Sequence, residues 1–234
     1  MDERTPVGRL REVLAHLPPE LAPPAADSPP GRILAATRAL LAEKGLAGLS
    51  MRLVAGEAGV NQAMIHYYYG TKDRLVDAVV TREVLSMIGA VVGGLDGDLD
   101  PAELFVQYPV RMLDELRRDR VRLQLLRLVL ATEPDRLRRA VRELGRHGVL
   151  GVSAELLGLI GEAQSAGRLV DAAPASLLMF LIANAFGLVF MEPIAHEVMG
   201  FSLADDEAWA RHRAQLTNLI RGGILAAPAD EERR

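Results

Sequence analysis

The sequence predicts an all-α protein, and three observations support that fold class. Half of the 234 residues are hydrophobic but only 4% are aromatic, so apolar volume must come mainly from Leu, Ala and Val. Long stretches place apolar residues at the three-to-four-residue spacing of amphipathic helices. No stretch shows the sustained alternation of apolar and polar residues that is typical of strands. A chain of this size buries a sizeable core in one or two domains.

Composition and charge narrow the classes of function. The chain has no cysteine, which excludes a disulfide framework, thiolate metal sites and cysteine nucleophiles. The polar first ten residues do not resemble a secretory signal, and we expect a cytoplasmic protein. A net charge of −4 excludes a uniformly basic nucleic-acid coat protein, so any affinity for nucleic acid must come from a local patch.

The elements follow in chain order. Residues 1–30 are predicted to be a flexible extension, because residues 18–30 contain six prolines, although Thr5-Pro6 can start a short helix that ends at Leu17. Helices are then predicted over 31–45, 51–58, 62–69, 71–92, 101–118, 120–131, 134–166, 174–199 and 204–226.

Glycine and proline modify these helices. Gly45 ends the first of them, Gly148 and its neighbouring glycines predict a break within 134–166, and Pro193 predicts a kink. We divide the chain into the extension, a small domain over 31–80, a larger helical domain over 81–227 and a disordered tail over 228–234.

The most informative motif lies between residues 49 and 75. Ser50 is a good N-cap for one short helix, and Gly59 supplies the positive φ that ends it sharply. Asn61 then caps a second short helix. Two helices joined by a turn of about three residues have the layout of a helix-turn-helix.

The second helix has two distinct faces. At about 100° per residue, Ile65, Tyr68 and Tyr69 point inward. On the outward face, Gln62 is expected to read an adenine edge and Ala63 to meet a thymine methyl group. His66 and Tyr67, also outward, are expected to donate hydrogen bonds to phosphates.

The next helix begins with a phosphate-binding pattern. Gly70 ends the second helix of the motif, and Thr71 caps the helix predicted over 71–92. Lys72 stands in the first turn of that helix, where free backbone N–H groups attract an anion. Residues 29–80 carry six cations and four anions, a net charge of +2 in a chain of net charge −4.

These residues resemble the DNA-binding domain of TetR/AcrR-family regulators. The resemblance rests on Ser50, Val54, Ala55, Ala58-Gly59-Val60, the run Ile65-His66-Tyr67-Tyr68-Tyr69 and Gly70-Thr71-Lys72-Asp73-Arg74-Leu75. His66 stands where the family usually has a phosphate-contacting tyrosine, and Tyr69 replaces a phenylalanine, so its hydroxyl needs a partner if it is buried. The DNA-binding residues so implied are Ser50, Arg52, Asn61, Gln62, Ala63, His66, Tyr67, Tyr68, Thr71 and Lys72.

The resemblance also implies a ligand-responsive repressor that binds a palindromic operator as a homodimer, without a cofactor. Its effector would be an apolar or amphipathic small molecule held in a chamber of the larger domain. The residues expected to line that chamber are Phe105, Tyr108, Met112, Met179, Phe180, Asn184 and Phe190. The residues expected at the dimer interface are Leu177, Leu181, Ala185 and Leu188, together with Leu216, Leu219 and Ile220.

Several alternatives stay open at this stage. Ordinary core packing produces the same apolar residues in the larger domain. Two runner-up interpretations are an all-α ligand-binding or enzymatic protein whose first three helices only pack, and a membrane-associated protein that uses the uncharged stretch 177–191. That stretch is short for a membrane span and favours a buried helix. Glu192 and His196 have helical metal-ligand spacing, but Pro193 spoils it, and we expect neither a metal site nor a catalytic one. The extension favours a weakly ordered tail over an arm that contacts DNA or the protein body through Arg4, Arg9 and Arg11.

Overall fold

The computed structural model describes residues 5–16, 18 and 21–226, and within these residues the chain forms eleven α-helices and no named strand. The helices are α1 Pro6–Ala15, α2 Pro29–Gly48, α3 Met51–Ala58, α4 Gln62–Tyr69, α5 Lys72–Gly93, α6 Pro101–Arg118, α7 Arg120–Thr132, α8 Pro134–Arg146, α9 Leu150–Ser165, α10 Pro174–Met199 and α11 Asp206–Ile224. A single antiparallel bridge joins Leu169 to Leu225 in this part of the chain. The all-α prediction is confirmed.

Local signals in the sequence explain most of the helix ends. The predicted break within 134–166 is confirmed, because Gly148 has a φ of 85° between α8 and α9. Gly45 has a φ of 68°, so α2 is interrupted at the residue where the sequence predicts its end. Helix α2 starts inside the proline-rich segment, because Ser28 caps it and Pro29 occupies its first turn.

The chain divides into two compact units. Unit A comprises Ala15–Ala90 and Arg118–Leu150, and unit B comprises Met1–Leu14, Val91–Arg117 and Gly151–Arg234. The sequence predicts a boundary near residue 80 and does not anticipate that residues 118–150 join the first helices. Residues 118–150 belong to unit A because their apolar side chains share one core with those helices.

Unit A is built around that core. Buried Ile33, Ile65 and Leu75 belong to one apolar cluster with Leu125 of α7 and Leu144 of α8. Within the unit, α2 packs against α3, α4 and α7. The apolar faces of α7 and α8 therefore share one core with α2, α3, α4 and α5.

A buried ionic network also ties the helices of unit A together. Glu83 of α5 accepts hydrogen bonds from Arg38 of α2 at 2.7 Å and from Arg122 of α7 at 3.3 Å. Arg38 also pairs with Asp119, the N-cap residue of α7. Burial lowers the pKa of the Arg38 guanidinium, but its hydrogen bonds to Glu83 and Asp119 outweigh that effect and the pKa is raised overall. The network therefore holds four charged side chains from α2, α5 and the start of α7 in fixed positions.

In unit B, helix α1 is packed rather than weakly ordered, which corrects the expectation for the extension. Val7 and Leu10 are fully buried. Arg9 bonds to Glu162 at 2.8 Å and pairs with Glu155 at 3.0 Å, and Arg11 donates to the carbonyl of Leu95 at 2.7 Å. The predicted arm residue Arg4, the predicted helix end Leu17 and the predicted tail 228–234 lie outside the described residues.

Candidate nucleic-acid interface

The turn between α3 and α4 has the geometry that the sequence predicts. The Ser50 hydroxyl accepts a hydrogen bond from the N–H of Leu53 at 3.2 Å, which caps α3. Gly59 ends α3 with a φ of 61°, and the N–H of Val60 bonds back to the carbonyl of Ala55 at 3.0 Å. The Asn61 side chain accepts from the N–H of Ala63 at 2.9 Å and starts α4. The helix-turn-helix prediction is confirmed.

Helix α4 separates an anchoring face from an exposed face. Ile65 is fully buried, and the half-buried Tyr69 donates its hydroxyl to the carbonyl of Pro30 at 3.0 Å. That bond supplies the partner that a tyrosine at this position needs, and burial raises the pKa of the Tyr69 hydroxyl. The predicted outward residues Gln62, Ala63, His66 and Tyr67 are all exposed.

Tyr68 departs from the predicted inward direction. It is 42% exposed, and its ring meets the ring of Tyr67 edge-on, with centroids 5.0 Å apart. Tyr67 itself is 83% exposed. Tyr68 lies at the border of the buried face rather than within it, so two adjacent phenol groups are available to a partner.

The structure changes the role expected of His66. Its Nδ1 lies 2.7 Å from the carbonyl oxygen of Gly70, and a carbonyl oxygen only accepts, so Nδ1 carries a proton. In the neutral ring Nε2 is then an acceptor. His66 therefore donates to a phosphate through Nε2 only in its doubly protonated form.

The start of α5 has the features of a phosphate-binding helix terminus. Within the described residues, the backbone N–H groups of Lys72 and Asp73 have no hydrogen-bond partner. The Thr71 hydroxyl accepts from the N–H of Arg74 at 3.2 Å and completes the cap. The Lys72 ammonium donates to the carbonyl of Leu46 at 2.9 Å, which fixes its position while leaving two of its protons free.

Two arginines belong to this surface in different ways. Arg52 of α3, which the sequence proposes as a contact, is exposed and has no ion pair among the described residues. The sequence prediction of the DNA-binding residues does not include Arg32 of α2. It is exposed and donates to the carbonyl of Ala58 at 3.2 Å and to that of Asp27 at 3.2 Å. Its only signal in the sequence is the local excess of positive charge.

The residues expected to line a ligand chamber are split between core and surface. Phe105, Tyr108 and Met112 are buried in α6, and burial raises the pKa of Tyr108 to about 12. Asn184 is half-buried. The others are exposed on α10, namely Met179 at 60%, Phe180 at 55% and Phe190 at 39%. Because an enclosed chamber needs buried walls, these three side chains do not line one within a single chain.

The predicted dimer stripe is also corrected in part. Leu177, Leu181 and Ala185 of α10 are buried inside unit B, as are Leu216 and Ile220 of α11, and Leu188 is half-buried. Of the predicted interface residues, Leu219 is strongly exposed, at 75%. The exposed apolar face of α10 lies on its other side and consists of Met179, Phe180, Phe190, Met191, Ile194, Val198 and Met199.

Helix α10 is apolar enough to raise the question of a membrane. Within the described residues it is the one helix whose length and composition would suffice for a membrane span, and only 28% of its most apolar window is buried. An exposed apolar face of this extent is typical of a surface that a partner covers.

Comparison with known proteins agrees with this geometry. Residues 33–79 match the family model described as bacterial regulatory proteins, tetR family. No curated protein matches the chain. The matched segment runs from the second turn of α2 through the helix-turn-helix to the first half of α5.

Solved structures share the fold over nearly their whole length. A candidate transcriptional regulator from Streptomyces coelicolor has a TM-score of 0.63 at 21% identity, covering 83% of this chain and 97% of its own. A TetR-family regulator from Marinobacter aquaeolei has a TM-score of 0.63 at 18% identity, covering 86% and 97%. A third, a TetR-family regulator from Haemophilus influenzae, has a TM-score of 0.60 at 19% identity, covering 84% and 96%. Residues 33–79 therefore match the domain that the family model describes for bacterial regulatory proteins of the tetR family, and the chain shares the fold of these solved regulators.

Proposed function

We propose that this chain is a cytoplasmic, ligand-responsive repressor that binds a palindromic operator as a homodimer. The observation that carries the proposal is the exposed face of α4 beside the free N-terminus of α5. Gln62 and Ala63 stand at the N-terminal end of α4, where a recognition helix meets base edges in the major groove. Lys72 and the free N–H groups at the start of α5 suit a phosphate.

The DNA contacts divide into two classes. Tyr67, Tyr68, Thr71 and Lys72 offer donors to the phosphate backbone, and Arg52 adds a charge on α3. Ser50 and Asn61 contribute through their caps, which fix the directions of α3 and α4. Only Gln62 and Ala63 are assigned to base edges, so sequence preference depends on very few side chains.

The exposed face of α10 supports the dimer. Its seven apolar side chains and Leu219 of α11 are solvent-exposed in the single chain. Two copies that pack through this face would bury it, and a two-fold axis would relate their two reading helices. A two-fold protein then requires two half-sites related by inversion of the DNA sequence.

Selection of bound duplexes from a random pool tests the function directly. We expect an enriched palindrome whose half-sites lie about one helical turn apart, or a multiple of that distance. Enrichment of an asymmetric sequence would contradict the dimer, and a pool that stays random would contradict specific recognition.

The phosphate contact of Lys72 is tested by its salt dependence. Lys72→Ala should weaken binding about equally on all duplexes and lower the salt slope by about one. The control is Arg211→Ala, since Arg211 lies in an exposed ion pair with Glu207 on α11. A slope for Lys72→Ala that equals the control's would remove Lys72 from the interface.

The dimer interface is tested by one substitution on the exposed face of α10 and by a control substitution on α8. Phe180→Glu places a charge on the exposed face of α10 and should convert the dimer to a folded monomer in light scattering. Val141→Glu changes an exposed apolar residue of α8, 41% exposed, and should leave the dimer intact. Recovery of the wild-type protein in the membrane fraction after lysis would favour the membrane alternative for α10 instead.

A further inference from the structure

A groove of about 820 Å³ opens between α5 and α8 within unit A. Its α5 wall runs from Arg74 to Leu85, with residues spaced three or four apart so that they share one face. Twelve residues of helix correspond to a length of about 18 Å. Leu21 of the proline-rich segment adjoins the groove, and Arg82 donates to the carbonyl of Ala22 at 3.0 Å, which holds that segment at the rim.

The groove is strongly cationic. Two carboxylates line it, Asp77 and Glu143. Five guanidinium groups also line it, those of Arg74, Arg82, Arg139, Arg142 and Arg146. The groove therefore has a local charge of +3 in a chain whose net charge is −4.

Neither carboxylate is free to neutralise this excess. Asp77 accepts hydrogen bonds from Arg136 at 2.8 Å and from Arg139 at 3.0 Å. Glu143 accepts from Arg146 at 2.7 Å.

Three of the arginines have no counter-ion of their own, and one of them, Arg82, donates to the carbonyl of Ala22. Arg74 on α5 and Arg142 on α8 are exposed and make no side-chain hydrogen bond or ion pair with the described residues. They stand on the two opposite walls of the groove. Guanidinium groups present planar pairs of donors that match carboxylate and phosphate oxygens, so these two are suited to hold one anion between the helices.

The rest of the lining indicates what the anion is attached to. Leu21, Ala78 and Leu85 are partly buried and pack on the core of unit A, and Ala140 is buried. A concave site of this volume with an apolar floor and a few convergent charges has the dimensions of a small-molecule site. A duplex backbone is convex and polar, so it would leave the apolar floor of the groove without a partner.

We propose that this groove binds a small molecule that carries a phosphate or carboxylate group on a short apolar body. Arg74 and Arg142 hold the anionic group, and the apolar body lies against Leu21 and Leu85. The site is separate from the residues of α6 and α10 that the sequence proposes for a ligand.

Such a ligand is placed to act on DNA binding. Arg136 of α8 already bonds to Asp73 in the first turn of α5 at 2.7 Å, next to Lys72. An anion that bridges α5 and α8 fixes their spacing and thereby the position of the α5 N-terminus. This last step rests on the proposed function, whereas binding in the groove does not.

Calorimetric titration of the full chain with octyl phosphate tests the site, with octanoate, inorganic phosphate and 1-octanol as comparison probes. We expect octyl phosphate or octanoate to bind more tightly than either inorganic phosphate or 1-octanol, since only they supply both charge and apolar surface. The stronger of the two identifies the anionic group. Binding of 1-octanol as tight as theirs would overturn the proposal.

Matched variants assign the binding to the groove. Arg74→Gln and Arg142→Gln should each weaken binding of the stronger probe by about tenfold, the effect of losing one charge-assisted hydrogen bond. The control is Arg138→Gln, since Arg138 is also on α8 but pairs with Asp135 and does not line this groove. Circular dichroism checks that all three variants are folded.

An equal loss of probe affinity in all three variants, or no loss in any of them, would overturn the proposal. Displacement of the bound probe by a short duplex of random sequence would also overturn it, because the groove would then bind the DNA backbone. If binding follows the groove variants but operator affinity does not change with the probe, the site stands and its link to DNA binding fails.

Discussion

Glu83 is the residue through which the ionic network of unit A is most sharply tested. Its carboxylate, only 10% exposed, accepts from Arg38 at 2.7 Å and from Arg122 at 3.3 Å, and the Arg122 side chain is itself 9% exposed. Glu83→Gln keeps the shape and one acceptor oxygen but removes the negative charge. The buried guanidinium group of Arg122 and the half-buried one of Arg38 are then left with Asp119 as their shared carboxylate partner.

The expected magnitude follows from that geometry. Removing one partner of a buried ion pair typically costs about 3–5 kcal/mol, because the remaining charge stays desolvated. Asp119 and the retained amide oxygen compensate in part, so we expect a loss near the lower limit, about 3 kcal/mol. For a chain of this length that corresponds to a melting temperature lower by roughly 6–12 °C.

Urea unfolding followed by circular dichroism measures the change. Glu43→Gln is the matched control, because Glu43 is 67% exposed and pairs with Lys44 on the surface. An exposed pair contributes about 0–1 kcal/mol, so the control should unfold close to the wild type. A Glu83→Gln variant that loses less than about 1 kcal/mol would refute the reasoning that this network is desolvated and coupled.

Three further predictions concern the reading domain and its acid stability. Gly59→Ala should destabilise the chain by about 1 kcal/mol, because a φ of 61° is strained for any residue with a Cβ; Gly56→Ala, within helix α3, should be neutral or stabilising, and equal effects of the two would contradict the assignment. Gln62→Ala should change base preference at one position of each half-site in a binding selection, so a uniform loss of affinity would remove its base-reading role. Burial raises the pKa of Asp119, but its hydrogen bonds with Arg38 and the N–H of Arg122 outweigh this and lower the pKa overall. The Asp119 carboxylate therefore contributes fully to stability above the ordinary carboxyl pKa, and this contribution is lost as the pH falls through the lowered pKa of the folded state. In urea unfolding, the stability of Asp119→Asn should therefore depend less on pH below about pH 5 than that of the wild type.

Local chemistry made the helix-turn-helix predictable from the sequence. A cap and a positive φ depend on residues only a few positions apart, so Ser50, Gly59 and Asn61 specify their structure without reference to the rest of the chain. The bounds predicted for α3 and α4 agree with the structure for this reason. The partners of His66 and Lys72 could not be predicted, because Gly70 and Leu46 accept their hydrogen bonds through backbone carbonyls that carry no sequence signal.

Long-range pairing was outside the reach of the sequence. Nothing near Glu83 in the chain identifies Arg38 as its partner, and the charge count of residues 29–80 ends before Glu83 and Arg122. Helix α1 was underestimated for the same reason. Apolar residues such as Val7 and Leu10 do not identify what they pack against, and only the folded unit shows that Arg9 meets Glu155 and Glu162 on α9.

Helix α10 shows why periodicity could not identify the face that we propose for the dimer. A helix that is apolar on every side has no hydrophobic stripe to distinguish, so the series Leu177, Leu181 and Ala185 fits an interface as well as it fits a core. Folding buries that series and leaves Phe180 and Ile194 exposed on the opposite side. An interior helix of a monomer would have its second apolar face covered by the same chain, and a surface helix would have a polar second face. Helix α10 has neither arrangement, and the simplest partner that supplies the missing cover is a second copy of the same helix, since a face that packs on itself needs no other protein to be present.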